Sequence, residues 1–139
     1  MDMAHALSGY DGKCKNIHGH TYRLFVTIIG TPDNDPKSPK NGMVIDFTLL
    51  KDIVQKEIIE IFDHSLVLKS DSLTDSQFSI LNSQFPNIIT VPYQPTCENL
   101  LIDFADKLKK LFPQNLKLYK LKLSETITSF AEWYAHDNE

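Results

Sequence analysis

The amino-acid sequence predicts an α+β fold in which a largely antiparallel sheet carries two helices on one face. Three observations lead to this class: apolar residues recur at helical spacing in two segments, several short segments have the pattern of strands, and the strands form hairpins separated by helices. The predicted order of elements is β, β, α, β, α, β, β. A chain of 139 residues suits one domain, which we expect to cover residues 1–139.

The first hairpin is predicted to follow a polar, histidine-rich start. Residues 21–29 alternate as a strand does, and one face of that strand is apolar. The opposite face carries Arg23, Phe25 and Thr27. Residues 30–42 contain three prolines and several Asp and Asn residues, which predicts an exposed loop. Residues 43–45 are then predicted to form a short return strand.

Two amphipathic helices are predicted, each with a polar N-cap. Asp46 caps a helix over residues 47–62, and Thr96 caps the second helix. The apolar positions of the first helix are Phe47, Leu50, Val54, Ile58 and Ile61. Those of the second helix are Leu100, Leu101, Phe104, Leu108 and Leu111. Between them, a short helix is predicted near residues 76–83 and a strand over residues 88–91.

The chain is predicted to end in two strands. Apolar and lysine side chains alternate over residues 116–123, and a slip in phase between Leu118 and Leu121 predicts a β-bulge. Residues 126–134 are predicted as the last strand, with aromatic residues on both faces. Because two helices cover only one face of such a sheet, an isolated chain would expose apolar strand residues. We therefore expect an obligate oligomer.

Composition and charge exclude several classes of protein. The formal net charge of −4 argues against a general nucleic-acid binder. No segment approaches the roughly 18 consecutive apolar residues of a membrane-spanning helix, and the N-terminal sequence lacks the features of a secretory signal. Cys14 and Cys97 are too few for a disulfide framework, which favours a reducing cytoplasm.

Histidines near the start of the chain indicate a metal site. His18 and His20 are two residues apart, so an extended backbone points both imidazoles to the same side. His5 is the nearest third ligand, because the turn over residues 8–12 can fold its segment back beside them. Three imidazoles and one open position form a catalytic type of zinc site. Two alternatives stay open: a surface strand with two histidines, or a closed structural site completed by Cys14.

Other polar residues have both a chemical and a structural interpretation. His64 with Asp63 can move protons near neutral pH, although the pair also suits a helix C-terminus. Glu125 can accept two N–H groups from a guanine-like edge, or it can solvate a turn. Thr96 with its acidic neighbour Glu98 is adequately explained as a helix cap.

Taken together, these motifs resemble the 6-pyruvoyltetrahydropterin synthase / 6-carboxytetrahydropterin synthase family. The matching segments, in the family's order, are Asp2-Met3-Ala4-His5-Ala6-Leu7, Gly12-Lys13-Cys14, Cys14-x-x-x-His18-Gly19-His20, Gly42-Met43-Val44-Ile45-Asp46-Phe47, Asp63-His64, Pro95-Thr96-Cys97-Glu98-Asn99 and Ser124-Glu125-Thr126. The three residues between Cys14 and His18 look like the bacterial queuosine-pathway branch of that family.

The resemblance implies a fold, an assembly and an activity. The fold is the tunnelling fold, or T-fold, in which an antiparallel sheet carries two helices on one face. Three subunits close a barrel, and two trimers stack into a homohexamer with sites at subunit interfaces. The implied cofactor is Zn²⁺ on His5, His18 and His20. The implied substrate is the small molecule 7,8-dihydroneopterin triphosphate, and the carboxy branch forms 6-carboxy-5,6,7,8-tetrahydropterin, acetaldehyde and triphosphate, with neither nucleic acid nor membrane as a partner.

The resemblance also implies a role for each candidate residue. Cys14 as a thiolate moves protons on the substrate side chain, assisted by zinc acting as a Lewis acid. His64, polarised by Asp63, transfers the second proton. Glu125 anchors the pterin ring. Further candidates for substrate contacts at the subunit boundary are Thr96 and Glu98.

Two departures and two alternatives accompany this interpretation. Because the chain starts where family members already have a strand, the first strand is expected to be missing or supplied differently. Residues 69–92 are longer than in compact members, which predicts a lid or an extra interface element. The alternatives are a 6-pyruvoyltetrahydropterin synthase, which keeps the three-carbon side chain, and a zinc-stabilised T-fold module without catalytic activity.

Overall fold

The computed structural model describes residues 1–138 of the chain. Its strands are β1 (Asp2–His5), β2 (His18–Thr21), β3 (Arg23–Gly30), β4 (Ser65–Lys69), β5 (Ile88–Val91), β6 (Leu116–Ser124) and β7 (Phe130–Tyr134). Its α-helices are α1 (Phe47–Val54), α2 (Glu60–Phe62), α3 (Asp75–Gln84) and α4 (Cys97–Leu108). A π-helical segment, Gln55–Ile59, joins α1 to α2, and short 3₁₀ turns cover Lys13–Lys15 and Ala135–Asp137. The predicted α+β class is confirmed.

The strands form two sheets rather than one. Strands β3, β6 and β7 make the predicted antiparallel sheet, in the order β3-β6-β7. The other four strands make a mixed sheet in the order β2-β1-β4-β5, in which β1 pairs antiparallel with β2 and parallel with β4. The sequence did not predict β1, β2 or β4 as separate strands. The segment Asp2–His5 is itself a four-residue strand, and the expectation of a missing strand before it stays a prediction.

The chain passes from one sheet to the other at Tyr22. This residue separates β2 from β3 and is 1% exposed, and its backbone N–H donates to the carbonyl oxygen of Met1 at 2.8 Å. The single strand predicted over residues 21–29 is therefore two strands that join different sheets. The predicted alternation is confirmed, since Arg23, Phe25 and Thr27 are exposed on the face opposite the core.

The first long helix contains a phase shift that the sequence pattern did not predict. Asp46 is its N-cap, as predicted, and accepts a hydrogen bond from the backbone N–H of Thr48 at 2.9 Å. A π-helical turn holds more residues than an α-helical turn, so the segment Gln55–Ile59 rotates the apolar face. As a result Phe62 is 2% exposed, whereas the predicted core residue Ile61 is 41% exposed.

Helix α4 packs on β6 and β7, and the helix over residues 47–62 packs on α4, so both helices cover one face of the antiparallel sheet. The hydroxyl of Thr96 caps α4 by accepting from the backbone N–H of Asn99. Four of its five predicted apolar positions are buried. The fifth, Leu111, lies beyond the end of the helix and is exposed. The rings of Phe62 and Phe104 meet edge to face in the core, 5.0 Å apart.

Several local predictions are confirmed and two are wrong. The bulge lies at Tyr119, because Thr27 pairs with Lys120 while Ile28 pairs with Leu118. Helix α3 includes the short helix predicted near residues 76–83. Residues 43–45 are not a strand, because the Met43 carbonyl accepts from the Asp33 N–H within the loop itself. The last strand begins at Phe130, since residues 125–129 form a turn closed from the Glu125 N–H to the Ser129 carbonyl.

Two surface properties bear on partners. Phe25 and Phe130 remain 53% and 52% exposed on the face of the antiparallel sheet that the helices leave uncovered. The sequence predicted an oligomer because apolar residues on this face would otherwise be exposed.

Across residues 1–138, every helix is too short or too polar to cross a membrane.

We predict that Leu121→Ala lowers the free energy of unfolding by about 2–5 kcal/mol, because Leu121 is fully buried between the antiparallel sheet and the helices. Denaturant unfolding at fixed protein concentration measures the change. The matched control is Ile80→Ala on α3, where a 60% exposed side chain predicts a change within about 0.5 kcal/mol. Equal losses in the two variants would contradict the assignment of this core.

Candidate active site

The first element of the site is a cluster of three imidazoles built by the β1–β2 pair. His5 lies directly opposite His18 in the antiparallel register, and His20 follows two residues later on the same face. The ring centroids are 4.6 Å apart for His5 and His18, 5.0 Å for His18 and His20, and 5.4 Å for His5 and His20. One nitrogen from each ring can be chosen so that all three lie within 4.8 Å of one another.

Backbone carbonyls orient two of these rings. The Nδ1–H of His5 donates to the carbonyl oxygen of Pro95 at 2.6 Å, and the Nδ1–H of His18 donates to that of Asn16 at 2.7 Å. A carbonyl oxygen only accepts, so each ring carries its proton on Nδ1 and turns the Nε2 lone pair inward. The two Nε2 atoms are 3.1 Å apart, close to the roughly 3.3 Å between ligands of a tetrahedral zinc with bonds of about 2.05 Å. These donors fit zinc.

Burial favours the neutral form of His5 that a metal requires. The side chain is 3% exposed, and desolvation by burial lowers its pKa. The neighbouring imidazoles of His18 and His20 lower the pKa further, while the Pro95 carbonyl and the Glu125 carboxylate oppose the shift. Because only a neutral imidazole binds a metal, the fold prepares this ligand before any ion arrives.

A cavity of about 550 Å³ opens beside the cluster and collects most of the predicted site residues. Its walls include His5, Cys14, Thr96, Glu98 and Glu125. Within the described chain, the group of ligand atoms that lie within 4.8 Å contains the three histidines and not the Cys14 thiol. This arrangement favours an open metal site over a closed four-ligand one, with the thiol facing the same cavity.

Tyr22 joins the histidine cluster to Glu125, and sequence reasoning assigned it no function. Its hydroxyl donates to Oε1 of Glu125 at 3.2 Å and lies 3.4 Å from Nε2 of His5. Burial, followed by the negative charge of Glu125, raises the pKa of Tyr22 well above its ordinary value. The signal was present in the sequence, because Tyr22 continues the alternation of His18 and His20 on the same face.

The second missed residue is Gln94, which holds the loop that carries Cys14. Its side-chain oxygen accepts from the Ser8 N–H at 3.0 Å, and its amide nitrogen donates back to the Ser8 carbonyl. The Leu7 N–H donates to the Cys14 carbonyl oxygen at 2.9 Å, and this hydrogen bond closes the loop between the two residues. No pattern within the sequence links Gln94 to Ser8, because the two residues lie 86 positions apart.

The Asp63–His64 pair does not share the cavity of Cys14 within one chain. His64 lies in a second cavity of about 470 Å³, whose walls include Asp2, Gly19 and His20. His64 and Cys14 therefore line separate cavities of the chain. Asp63 accepts from the Asp2 N–H at 2.6 Å and from His64 Nδ1 at 3.0 Å, and these contacts hold the pKa of Asp63 below its usual range.

Known proteins resemble this chain over nearly its whole length. The family described as 6-pyruvoyl tetrahydropterin synthase matches residues 1–136. The chain belongs to this family. Relatives named 6-carboxy-5,6,7,8-tetrahydropterin synthase are 39% identical in both Haemophilus influenzae and Rickettsia felis. The alignments cover 96% and 95% of this chain and 92% and 93% of those proteins.

Solved structures show the family's T-fold in this chain. The 6-pyruvoyl tetrahydropterin synthase of Caenorhabditis elegans is similar at a TM-score of 0.65 and 26% identity, over 97% of this chain and 89% of that one. An uncharacterized protein of Wolinella succinogenes reaches a TM-score of 0.75 at 17% identity, over 97% and 94% of the two chains. The second likeness concerns the fold alone.

We predict that Gln94→Ala speeds alkylation of Cys14 by iodoacetamide by about fivefold or more, because each lost loop hydrogen bond contributes about 1 kcal/mol. Mass spectrometry separates the Cys14 peptide from that of Cys97, which is buried and stays unmodified. The control is Gln84→Ala, since Gln84 is an exposed glutamine at the end of α3. If Cys14 is alkylated at the same rate in Gln94→Ala and in wild type, the Gln94–Ser8 hydrogen bonds do not restrain the loop.

Proposed function

We propose that this protein is a zinc-dependent 6-carboxy-5,6,7,8-tetrahydropterin synthase, a lyase of queuosine and 7-deazaguanine biosynthesis. The substrate is 7,8-dihydroneopterin triphosphate, and the products are the carboxytetrahydropterin, acetaldehyde and triphosphate. The observation that carries the proposal is a cluster of three imidazoles, one of which, His5, lines a cavity together with the Cys14 thiol and the Glu125 carboxylate. The names of the 39% identical relatives support the same activity.

His5, His18 and His20 are the residues that would hold zinc, because their Nε2 atoms are directed by fixed carbonyl partners or by strand register. Zinc, when bound, supplies a Lewis acid for oxygens of the substrate side chain and so makes the adjacent C–H bonds more acidic. The cavity beside the three imidazoles gives the substrate side chain access to this position.

Cys14 is the proposed base for proton transfers on the substrate side chain. It is partly exposed and lies in the cavity with His5. Its neighbours in the sequence are Lys13 and Lys15, and all three residues lie in the short 3₁₀ turn. The loop that carries Cys14 is held by Gln94, so the sulfur keeps its position while the proton moves.

Glu125 is the proposed anchor for the pterin ring. Its carboxylate faces the cavity that contains Cys14 and also a neighbouring cavity of about 560 Å³. A carboxylate accepts two parallel N–H groups, which matches the amino and ring N–H groups of a pterin. Thr96 and Glu98 lie on the same cavity wall at the start of α4 and are proposed to contact the substrate.

His64, oriented by Asp63, is the proposed second proton donor or acceptor. Because His64 and Cys14 line separate cavities, we infer that these two residues of one chain do not act on the same substrate molecule. A homohexamer of two stacked trimers, with sites at subunit interfaces, would instead bring His64 from a second copy to Cys14. The exposed Phe25 and Phe130 support such an assembly. We place the protein in the cytoplasm, with no nucleic acid or membrane as partner.

The alternative activity is that of a 6-pyruvoyltetrahydropterin synthase, which also releases triphosphate but keeps the three-carbon side chain. It is favoured by the description of the matched family and by the solved structure from Caenorhabditis elegans. The two activities differ in one product, acetaldehyde.

For turnover, we predict one acetaldehyde for each triphosphate released from 7,8-dihydroneopterin triphosphate. Cys14→Ala is expected to lower turnover about 10²–10⁴-fold, the usual contribution of general acid–base catalysis, while zinc is retained. The control is Ser79→Ala, which changes an exposed residue of α3 outside this cavity and is expected to keep turnover. Triphosphate release without acetaldehyde would assign the pyruvoyl activity, whereas loss of zinc from Cys14→Ala would assign a structural site.

For metal content, we predict about one zinc per chain in the purified protein by inductively coupled plasma mass spectrometry. His18→Ala removes one of three ligands and is expected to lose most of this zinc. His136→Ala is the control, because His136 is an exposed histidine in the C-terminal 3₁₀ turn. Equal zinc in wild type and His18→Ala would exclude the proposed ligand set.

A further inference from the structure

The groups proposed to hold the metal and the pterin lie on different sheets. His5, His18 and His20 belong to β1 and β2 of the mixed sheet. Glu125 follows β6 of the antiparallel sheet. A substrate that contacts both groups at once requires a fixed separation between them, so a link between the two sheets at this point matters for binding.

Tyr22 occupies that point. It is the single residue between β2 and β3, where the chain leaves one sheet and enters the other, and its side chain is buried with 1% exposure. The ring of Tyr22 packs edge to face against His20, with centroids 5.4 Å apart, and against His5 at 6.1 Å. Its hydroxyl reaches Oε1 of Glu125 at 3.2 Å.

We propose that Tyr22 is a positioning residue for the pterin site, holding the Glu125 carboxylate at a fixed place relative to the three-histidine cluster. This inference rests on the function proposed for Glu125 and deepens it. Tyr22 acts through Glu125 and contacts neither the reacting carbons nor the metal.

The direction of the hydrogen bond follows from the atoms involved. A tyrosine hydroxyl has one proton, and an ionised carboxylate can only accept, so Tyr22 donates to Glu125. The alternative acceptor, Nε2 of His5, is farther away at 3.4 Å and is the lone pair directed at the metal position. The Tyr22 hydroxyl therefore donates its proton to the Glu125 carboxylate. The Tyr22 ring packs against His5 and His20 and so fixes the distance between them and Glu125.

This contact leaves Glu125 able to bind the ring. One lone pair of Oε1 accepts from Tyr22, which leaves the other lone pair of Oε1 and both of Oε2 for two parallel N–H groups. Fixing the carboxylate in this orientation reduces the entropy lost when the pterin binds. Loss of the hydroxyl should therefore weaken binding of the ring in ground state and transition state alike, which raises KM with little change in kcat.

The test compares Tyr22→Phe with wild type in two assays. The first assay is equilibrium binding of 7,8-dihydroneopterin, the substrate without its triphosphate, by calorimetry. The second is steady-state turnover of 7,8-dihydroneopterin triphosphate. We expect Kd and KM each to rise about tenfold, in the range for loss of one hydrogen bond to a charged acceptor, with kcat within about twofold. Zinc content is expected to match wild type, and the thermal midpoint is expected to fall no further than in the control Tyr93→Phe described next, which loses a comparable hydrogen bond.

Tyr93→Phe is the matched control. Tyr93 is also partly buried and donates to a carboxylate, Oδ2 of Asp103, at 2.8 Å, but this contact lies outside the cavity described above. Its loss should leave Kd and KM unchanged. A similar rise in Kd in both variants would overturn the proposal, because it would reflect a general loss of tyrosine–carboxylate bonds.

A double-mutant cycle with Glu125→Gln tests whether Tyr22 acts through Glu125. If it does, Tyr22→Phe weakens dihydroneopterin binding in the wild-type background and has little further effect when Glu125 is replaced. Additive losses would overturn the proposal. So would loss of zinc in Tyr22→Phe, or a thermal midpoint well below that of Tyr93→Phe, since either result assigns the tyrosine to the metal site or to the core.

The assays also separate this inference from the proposed function. Dihydroneopterin binding that depends on Tyr22 and Glu125 together, in a protein that does not turn over the triphosphate, would support the positioning role and overturn the synthase activity. Absence of dihydroneopterin binding by wild type would overturn the positioning role, whatever the turnover.

Discussion

The site depends on one constraint, the antiparallel register between two four-residue strands. Because His5 lies opposite His18, the alternation of side chains brings His20 to the same face and closes the cluster. A slip of one residue in this pairing would send His18 and His20 to the opposite face of the strand pair, away from His5. The parallel pairing of β1 with β4 keeps β1 inside its sheet, so the register is restrained from both sides.

The segment before α4 adds a second restraint from the other end of the chain. Pro95 fixes the tautomer of His5 through its carbonyl oxygen, and the adjacent Gln94 fixes the loop of Cys14 through Ser8. These two neighbouring residues thus hold the proposed metal ligand and the proposed base at the same time. Groups held by hydrogen bonds of this kind keep their positions when a substrate enters, and catalysis by proton transfer needs that constancy.

Local patterns predicted much of this structure, and contacts distant in sequence account for what they missed. Helix caps such as Asp46, the bulge at Tyr119 and the shared face of His18 and His20 follow from short-range spacing. The π-helical turn changed the buried face of the first helix, because the pattern was interpreted with a constant period. No local pattern connects the segments that are joined by the parallel pairing of β1 with β4, or by the hydrogen bonds between Gln94 and Ser8.

Strand β1 also organises the face opposite the histidines. The Asp2 carbonyl accepts from the His64 N–H at 2.6 Å, and the Asp2 N–H donates to the Asp63 carboxylate. His64 has a φ of 57°, a left-handed conformation that costs a residue other than glycine about 1–3 kcal/mol and persists where the surroundings enforce it. The same four residues therefore supply His5 to one cavity and hold His64 in the other. If Cys14 and His64 act on one substrate molecule, as we propose, the two groups have to come from different copies of the chain. The exposed Phe25 and Phe130 offer an apolar face for such an association.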